Sequence, residues 1–396
     1  MPAWSLPEAI ADILPAEARR IETLRRSLLD LFRSYGYELV MPPLLEYVES
    51  LLSGTGRDLD LQMFKLIDQM SGRTMGLRPD ITPQAARIDA HLLNREGVTR
   101  LCYAGSVLYA RPRSLTGTRE PFMVGAELFG HAGIEADLEV QDLLLATLRA
   151  AGIVTLRLDL GHAEILRAIL ASDLRGFMMA ERVYPLLQKK DREALAALDG
   201  ELDRATCAAL STLCGLYGGA DTLASARAML PPLPRIAAAL DVLERLVGAL
   251  DCSDVTIDLA DLRGYHYHSG VMFAAYCPGL PSAVARGGRY DEVGLAFGRA
   301  RAATGFSLDL RELAALAPRA DVRLAIRAPW SEDDILRGAL RTEVARLRAT
   351  GETVIQSLPG NDASQVEHDC DRTLVACDGT WRIEPLNRNR PGSVTA

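Results

Sequence analysis

Strand-like segments recur along this chain without the regular strand–helix–strand alternation that a parallel sheet needs. "RTMGLRP", "RLCYAGSVLYA", "EPFMVGAELFG" and "IVTLRLDLG" follow one another, separated only by the helical patterns "TPQAARIDAHLLNRE" and "DLEVQDLLLATLRAAG". Strands return at "VTIDLA", "GVMFAAY" and "RAATGFSLDL". Parallel strands require a long crossover, usually a helix, between neighbours. This order therefore predicts an α+β fold with a mixed, largely antiparallel sheet flanked by helices.

The segment breaks divide the chain further. Residues 16–35 place Ile21, Leu24, Leu28, Leu31, Phe32 and Tyr35 on one helical face. Gly36 stops that helix, and "YELVMPP" reads as a strand halted by Pro42 and Pro43. Residues 162–250 are helical and rich in alanine and leucine, without a clear strand, and read as a helical insertion between core segments 1–161 and 251–315. A proline- and alanine-rich joint near 314–320 leads to a small C-terminal αβ module over 321–390, with strands "VRLAIRA", "ETVIQSL" and "RTLVACD" and one helix. The terminus "NRNRPGSVTA" reads as loose.

Composition excludes several classes. A net charge of −8 is a poor basis for wrapping nucleic acid but suits a small zwitterionic ligand. The start, "MPAWSLPEAIADILP", lacks a basic region and a long apolar stretch, so no signal peptide is expected. No apolar run approaches the ~20 residues of a membrane span. Seven cysteines, closest at Cys207/Cys214 and Cys370/Cys377, lack zinc-ribbon and thioredoxin spacing. They are expected to be buried or idle thiols in a reducing cytoplasm. The "GTG" at Gly54–Gly56 reads as a loop, and no Walker A, HExxH or GxSxG pattern occurs, so neither metal nor cofactor is expected.

Polar residues embedded in strand-like context carry the chemistry. Glu127 lies between Ala126 and Leu128-Phe129, where an ionised carboxylate is costly to bury without a partner; a structural ion pair is the alternative to a ligand contact. Asp80, in "LRPDIT", either caps the helix that Thr82-Pro83 begins or points its carboxylate at an amine. Arg119 opens the Glu127 strand, and Arg263 precedes Gly264, which permits close backbone approach. Two carboxylates and two guanidiniums on one sheet suit an α-amino acid, the carboxylates taking its ammonium and the arginine forks its carboxylate.

These motifs together resemble the class II aminoacyl-tRNA synthetase core, specifically that of the histidyl-tRNA synthetase family, over roughly residues 8 to 315. "YGYELVMPPLLE" resembles the first class II motif, "TREPFMVGAELFG" the second and "ATGFSLDLREL" the third; "LRGYHYHSG" and "RGGRYDEV" resemble the two histidine-specific elements. The resemblance implies that Asp80, Thr82, Arg119, Glu127, Arg263, Tyr267 and His268 bind histidine, with Tyr267 and His268 as a wall rather than a catalytic base. Where the family has an arginine for the α-phosphate of ATP this chain has Tyr109, although a one-residue slip would bring Arg111 there. Where the third motif ends in glycine, glutamate and arginine this chain has Asp309, Arg311 and Glu312. A carboxylate at a phosphate clamp reverses the sign of the interaction.

A histidine pocket retained beside a lost ATP site is similar to one branch of the family, the regulatory subunits of ATP phosphoribosyltransferase. That resemblance implies a non-catalytic cytoplasmic chain in histidine biosynthesis. Its expected partners are a second copy, a short-form catalytic subunit in a hetero-oligomer and free histidine as feedback inhibitor, without tRNA or membrane. Two other readings fit the same motifs: an active histidyl-tRNA synthetase with divergent ATP motifs, and a stand-alone histidine-binding paralogue.

Overall fold

The computed structural model describes residues 4–53, 57–114, 117–261, 267–318, 324–359, 370–377 and 379–386. Two compact units divide the chain, Met1–Pro318 and Arg319–Ala396. In the first, nine strands form one sheet in the order Glu38–Leu39, Thr99–Ser106, Phe122–Phe129, Ala303–Asp309, Ala285–Arg289, Val271–Tyr276, Arg157–His162, Val255–Asp258 and Tyr217–Gly218. Among the described residues two ladders of this sheet are parallel, Glu38–Leu39 with Thr99–Ser106 and Arg157–His162 with Val255–Asp258; the rest are antiparallel. The mixed, largely antiparallel sheet expected from the strand order is the one that forms.

Alternation along a strand decides what each face carries. In Phe122–Phe129 it sends Val124, Ala126 and Leu128 into the main core behind the sheet, and Gly125 and Glu127 to the front. Helices Pro15–Ser34, Ile134–Ala150 and Leu310–Leu316 pack behind, where Phe32 meets Phe306 edge-on at 6.0 Å. Ile21, Leu28 and Phe32 are buried as the periodicity predicts, but Tyr35 is an exposed cap residue, because Gly36 leaves the helix at φ 85°. Residues 163–249 form six helices that share this core, interrupted by the short strand Tyr217–Gly218.

On the front, helix Thr82–Arg87 continues as a π-helical turn, Ile88–Leu93, over a second core cluster that includes Ile81, Tyr103, Tyr109 and Tyr290. Arg78 is a buried brace below it, donating to the carbonyls of Ser106 at 2.9 Å and Pro42 at 2.7 Å. A small antiparallel sheet of Leu45–Tyr47, Thr74–Leu77 and Phe64–Ile67 lies beside this brace, since the Arg78 amide bonds to the Leu44 carbonyl. Two of its three strands carry no strand pattern in the sequence, being only three and four residues long.

The second unit orders its strands Val354–Gln356, Ala325–Ala328, Cys370–Cys377 and Thr380–Pro385, with helix Asp334–Ala349 packing Leu340, Val344 and Leu347 onto Ile326 and Leu374. The module boundary at 321 and the terminal "NRNRPGSVTA" lie outside the described residues. All seven cysteines are free thiols, and Cys102, Cys207, Cys214, Cys277 and Cys370 are buried. Among the described residues, no helix is long and apolar enough to cross a membrane, and no group of acidic, histidine and cysteine side chains is placed to hold a metal ion.

Candidate functional site

The front of the sheet opens into a cleft of about 490 Å³ whose lining includes Asp80, Thr82, Glu127, Tyr267, His268 and Tyr290. Glu127 is its floor. Only 1% of the residue is exposed, yet among the described residues no cation pairs with it; instead Tyr103 donates to one carboxyl oxygen at 3.0 Å and Tyr290 donates to the other. Thr82 extends the chain with a 3.0 Å bond to the Tyr103 hydroxyl. Burial pushes the Glu127 carboxyl up to about 8, against the opposite pull of its bonds from Tyr290, Tyr103 and Thr82. A carboxyl held neutral in this way near neutral pH avoids the cost of burying a carboxylate in an apolar strand.

Backbone without side chains lets Glu127 sit there. A Cβ on Gly305, the cross-strand partner of Glu127, would collide with the Glu127 carboxyl oxygen. One strand further, a Cβ on Gly288 would stand 2.8 Å from the His268 Nε2. Glycine at both positions keeps the floor flat and lets the ring of His268 descend onto it.

Asp80 takes the first of the two roles posed by its sequence and stands where the second could be served. Its Oδ1 accepts from the Thr82 amide at 3.0 Å, fixing the start of the helix, while the residue also lines the cleft. Tyr267 stacks at 4.9 Å on Tyr290 and meets His268 edge-on at 5.5 Å. Its hydroxyl is buried without a hydrogen-bond partner among the described residues. Buried hydroxyls are nearly always paired, so this one offers a ready contact to a polar ligand.

Arg119 does not join the group. Its guanidinium donates to the carbonyls of Tyr109 at 3.1 Å and Glu8 at 3.4 Å and lies over the Phe64 ring. The strand begins only at Phe122, so Arg119 belongs to the preceding turn, where backbone carbonyls claim it. Arg263 lies outside the described residues. Tyr103 and Tyr290, which position Glu127, were not singled out from sequence; the "GGRYD" motif containing Tyr290 was the available signal.

The positions that would meet ATP are occupied by structural roles. Tyr109 is buried, with its amide bonded to the Arg119 carbonyl at 2.8 Å. Asp309 caps helix Leu310–Leu316, accepting from the Arg311 amide at 2.9 Å and the Phe122 amide at 3.2 Å. Burial raises the pKa of Glu312, and Arg286 and Arg113 oppose that rise.

Sheet, cleft and floor residues define a synthetase-like fold of the histidine type, and the family model described as "Histidyl-tRNA synthetase" matches residues 9–313. A histidyl-tRNA synthetase from Nostoc sp. PCC 7120 shares the fold at TM-score 0.73 and 17% identity, covering 94% of this chain and 91% of that one. A Bacillus halodurans structure described as an ATP phosphoribosyltransferase regulatory subunit/histidyl-tRNA synthetase superposes at TM-score 0.83 with 27% identity, covering 94% and 98%. The model described as "ATP phosphoribosyltransferase subunit HisZ C-terminal domain" matches residues 323–384. ATP phosphoribosyltransferase regulatory subunits of Ralstonia nicotianae and Burkholderia cenocepacia are 62% and 60% identical, each over 97% of this chain and 99% and 100% of the relative. The chain belongs to the family of ATP phosphoribosyltransferase regulatory subunits. It is accordingly a non-catalytic chain of histidine biosynthesis.

Proposed function

We propose that this chain binds free histidine in the Glu127 cleft and converts that binding into inhibition of a short-form ATP phosphoribosyltransferase catalytic subunit, within a cytoplasmic hetero-oligomer built on a dimer of this chain. The observation that carries the reading is the buried carboxyl of Glu127, held by Tyr103 and Tyr290 at the floor of a cleft rimmed by Asp80. Asp80 receives the ammonium, Thr82 and Glu127 read the imidazole and amine, and the Tyr267/His268 wall stacks on the ring. Arg263 keeps the closing role that the family resemblance gives it. The family relatives supply the partner, since each is named a regulatory subunit of ATP phosphoribosyltransferase.

Inhibition requires that histidine prefer the less active arrangement of the complex, typically by about 1–3 kcal/mol or 5–150-fold. Glu127→Gln and Arg263→Ala, each reconstituted with the catalytic subunit, are expected to support phosphoribosyl-ATP formation and to lose sensitivity to histidine. Wild-type inhibition in both variants would place the sensor elsewhere.

A further inference from the structure

We infer that Arg286 is the residue that receives the carboxylate of the bound amino acid, the role expected of Arg119; this rests on the histidine reading of the cleft. Directly paired residues of an antiparallel sheet share a face, so the register sets out the cleft floor in rows. One row runs Glu127, Gly305, Gly288, Met272. The next runs Gly125, Ser307, Arg286, Ala274. Adjacent rows are roughly 7 Å apart, two residues along a strand. Arg286 thus rises from the same floor as Glu127, one row away, and lines the same cleft. Arg286 is two strands from Glu127 as well as one row away, and its long side chain reaches into the cleft lining between them.

Charge fixes the kind of anion. Arg113 also lines the cleft, held by Gln62 at 2.9 Å and stacked over Tyr109, and Glu312 feels both guanidiniums. Of the acids that also line the cleft, Asp159 is paired with Arg157 at 2.8 Å and Asp258 with Lys190 at 2.8 Å, so the cations set against a ligand carboxylate at this end are Arg286 and Arg113. Asp80 marks the other end as the place for an amine, with the Glu127 carboxyl in the same cleft as a hydrogen-bonding group. The cleft is therefore polarised along its floor in the sense that a free α-amino acid requires, and an amine lacking the carboxylate would leave the Arg286 end unmatched.

Histamine keeps the amine and imidazole of histidine and lacks its carboxylate, so the two ligands isolate this contact. Calorimetric titration of the full chain is expected to show histidine bound about tenfold to a hundredfold more tightly than histamine. Arg286→Gln should bring histidine down to the histamine level and leave histamine affinity unchanged, while Arg286→Lys, which keeps the charge but loses the planar fork, should fall between. A histidine preference that survives in Arg286→Gln overturns the assignment. So does loss of both ligands in that variant, which would mark a structural residue, or equal binding of the two ligands by wild type. If wild type binds neither, the histidine reading of the cleft fails, and the assignment with it.

Discussion

Glu127 was legible from sequence because an acid between apolar strand neighbours demands an explanation, but its explanation came from remote strands. The tyrosines that hold it, Tyr103 and Tyr290, lie 24 and 163 positions away, and no local pattern announces such partners. Arg119 was misplaced for a related reason: sequence spacing set it on the strand, and the turn before Phe122 took it off. The raised pKa of Glu127 has a measurable sign. Stability from its neutral form is complete below the unfolded value of 4.5 and lost as pH rises through about 8. Buried His162, whose Nδ1 accepts from the Glu164 amide, is pushed down to about 4 by burial, so its contribution is present above 6.5 and lost as pH falls through about 4. Melting wild type and Glu127→Gln in parallel cancels the shared His162 contribution. The melting temperature of the variant is expected to gain on wild type steadily from about pH 5 to about pH 8. A gap that stays flat across that range would refute a protonated Glu127.

At the scale of elements, the strand Ala285–Arg289 was the least legible, because "ARGGR" has no β-branched or aromatic residue to mark it. Its glycines let Phe273 pack closely on the rear face at Gly287 and His268 on the cleft face at Gly288. The motif was read as a ligand element, yet alternation divides it. Gly288 and Tyr290 face the cleft, while Arg289 points behind the sheet to Asp137 of helix Ile134–Ala150 at 2.8 Å. It also donates to the carbonyls of His131 and Gly133, so one side chain fixes the helix entry against the sheet. Both side chains of this pair are under a tenth exposed, so removing Asp137 leaves the buried Arg289 charge with only the longer 3.3 Å contact to Asp291. Asp137→Ala is expected to cost about 3–5 kcal/mol. Asp30→Ala, which breaks the exposed pair with Arg33, is expected to cost no more than about 1 kcal/mol. Urea unfolding of the two variants checks the contrast, and comparable losses would contradict the role of Arg289.

Across the whole molecule, strand order and motif order foretold the class II-like sheet, because both depend on local pattern repeated in sequence. Surfaces that meet other chains depend on what the fold leaves uncovered, which no local sequence pattern records. The sheet begins at Glu38–Leu39, whose outer side pairs with no other described strand. Beside it stand Leu39, 43% exposed, and Met41, 78% exposed, with Leu44 and Val98 also exposed. An apolar, unprotected sheet edge is a template for association unless something covers it, and contiguous apolar surface marks an interaction site. The segment lies within "YGYELVMPPLLE", the stretch resembling the first class II motif, through which such cores dimerise. A second copy is the expected cover, since the same edge presented twice satisfies a two-fold interface. Light scattering at micromolar concentration should therefore give the mass of a dimer. Met41→Glu, which sets a charge at the most exposed of these apolar residues and outside the cleft lining, should shift the chain to monomer while histidine binding persists. Wild type that scatters as a monomer at that concentration would leave the edge to some other partner and remove the dimer from the proposed assembly.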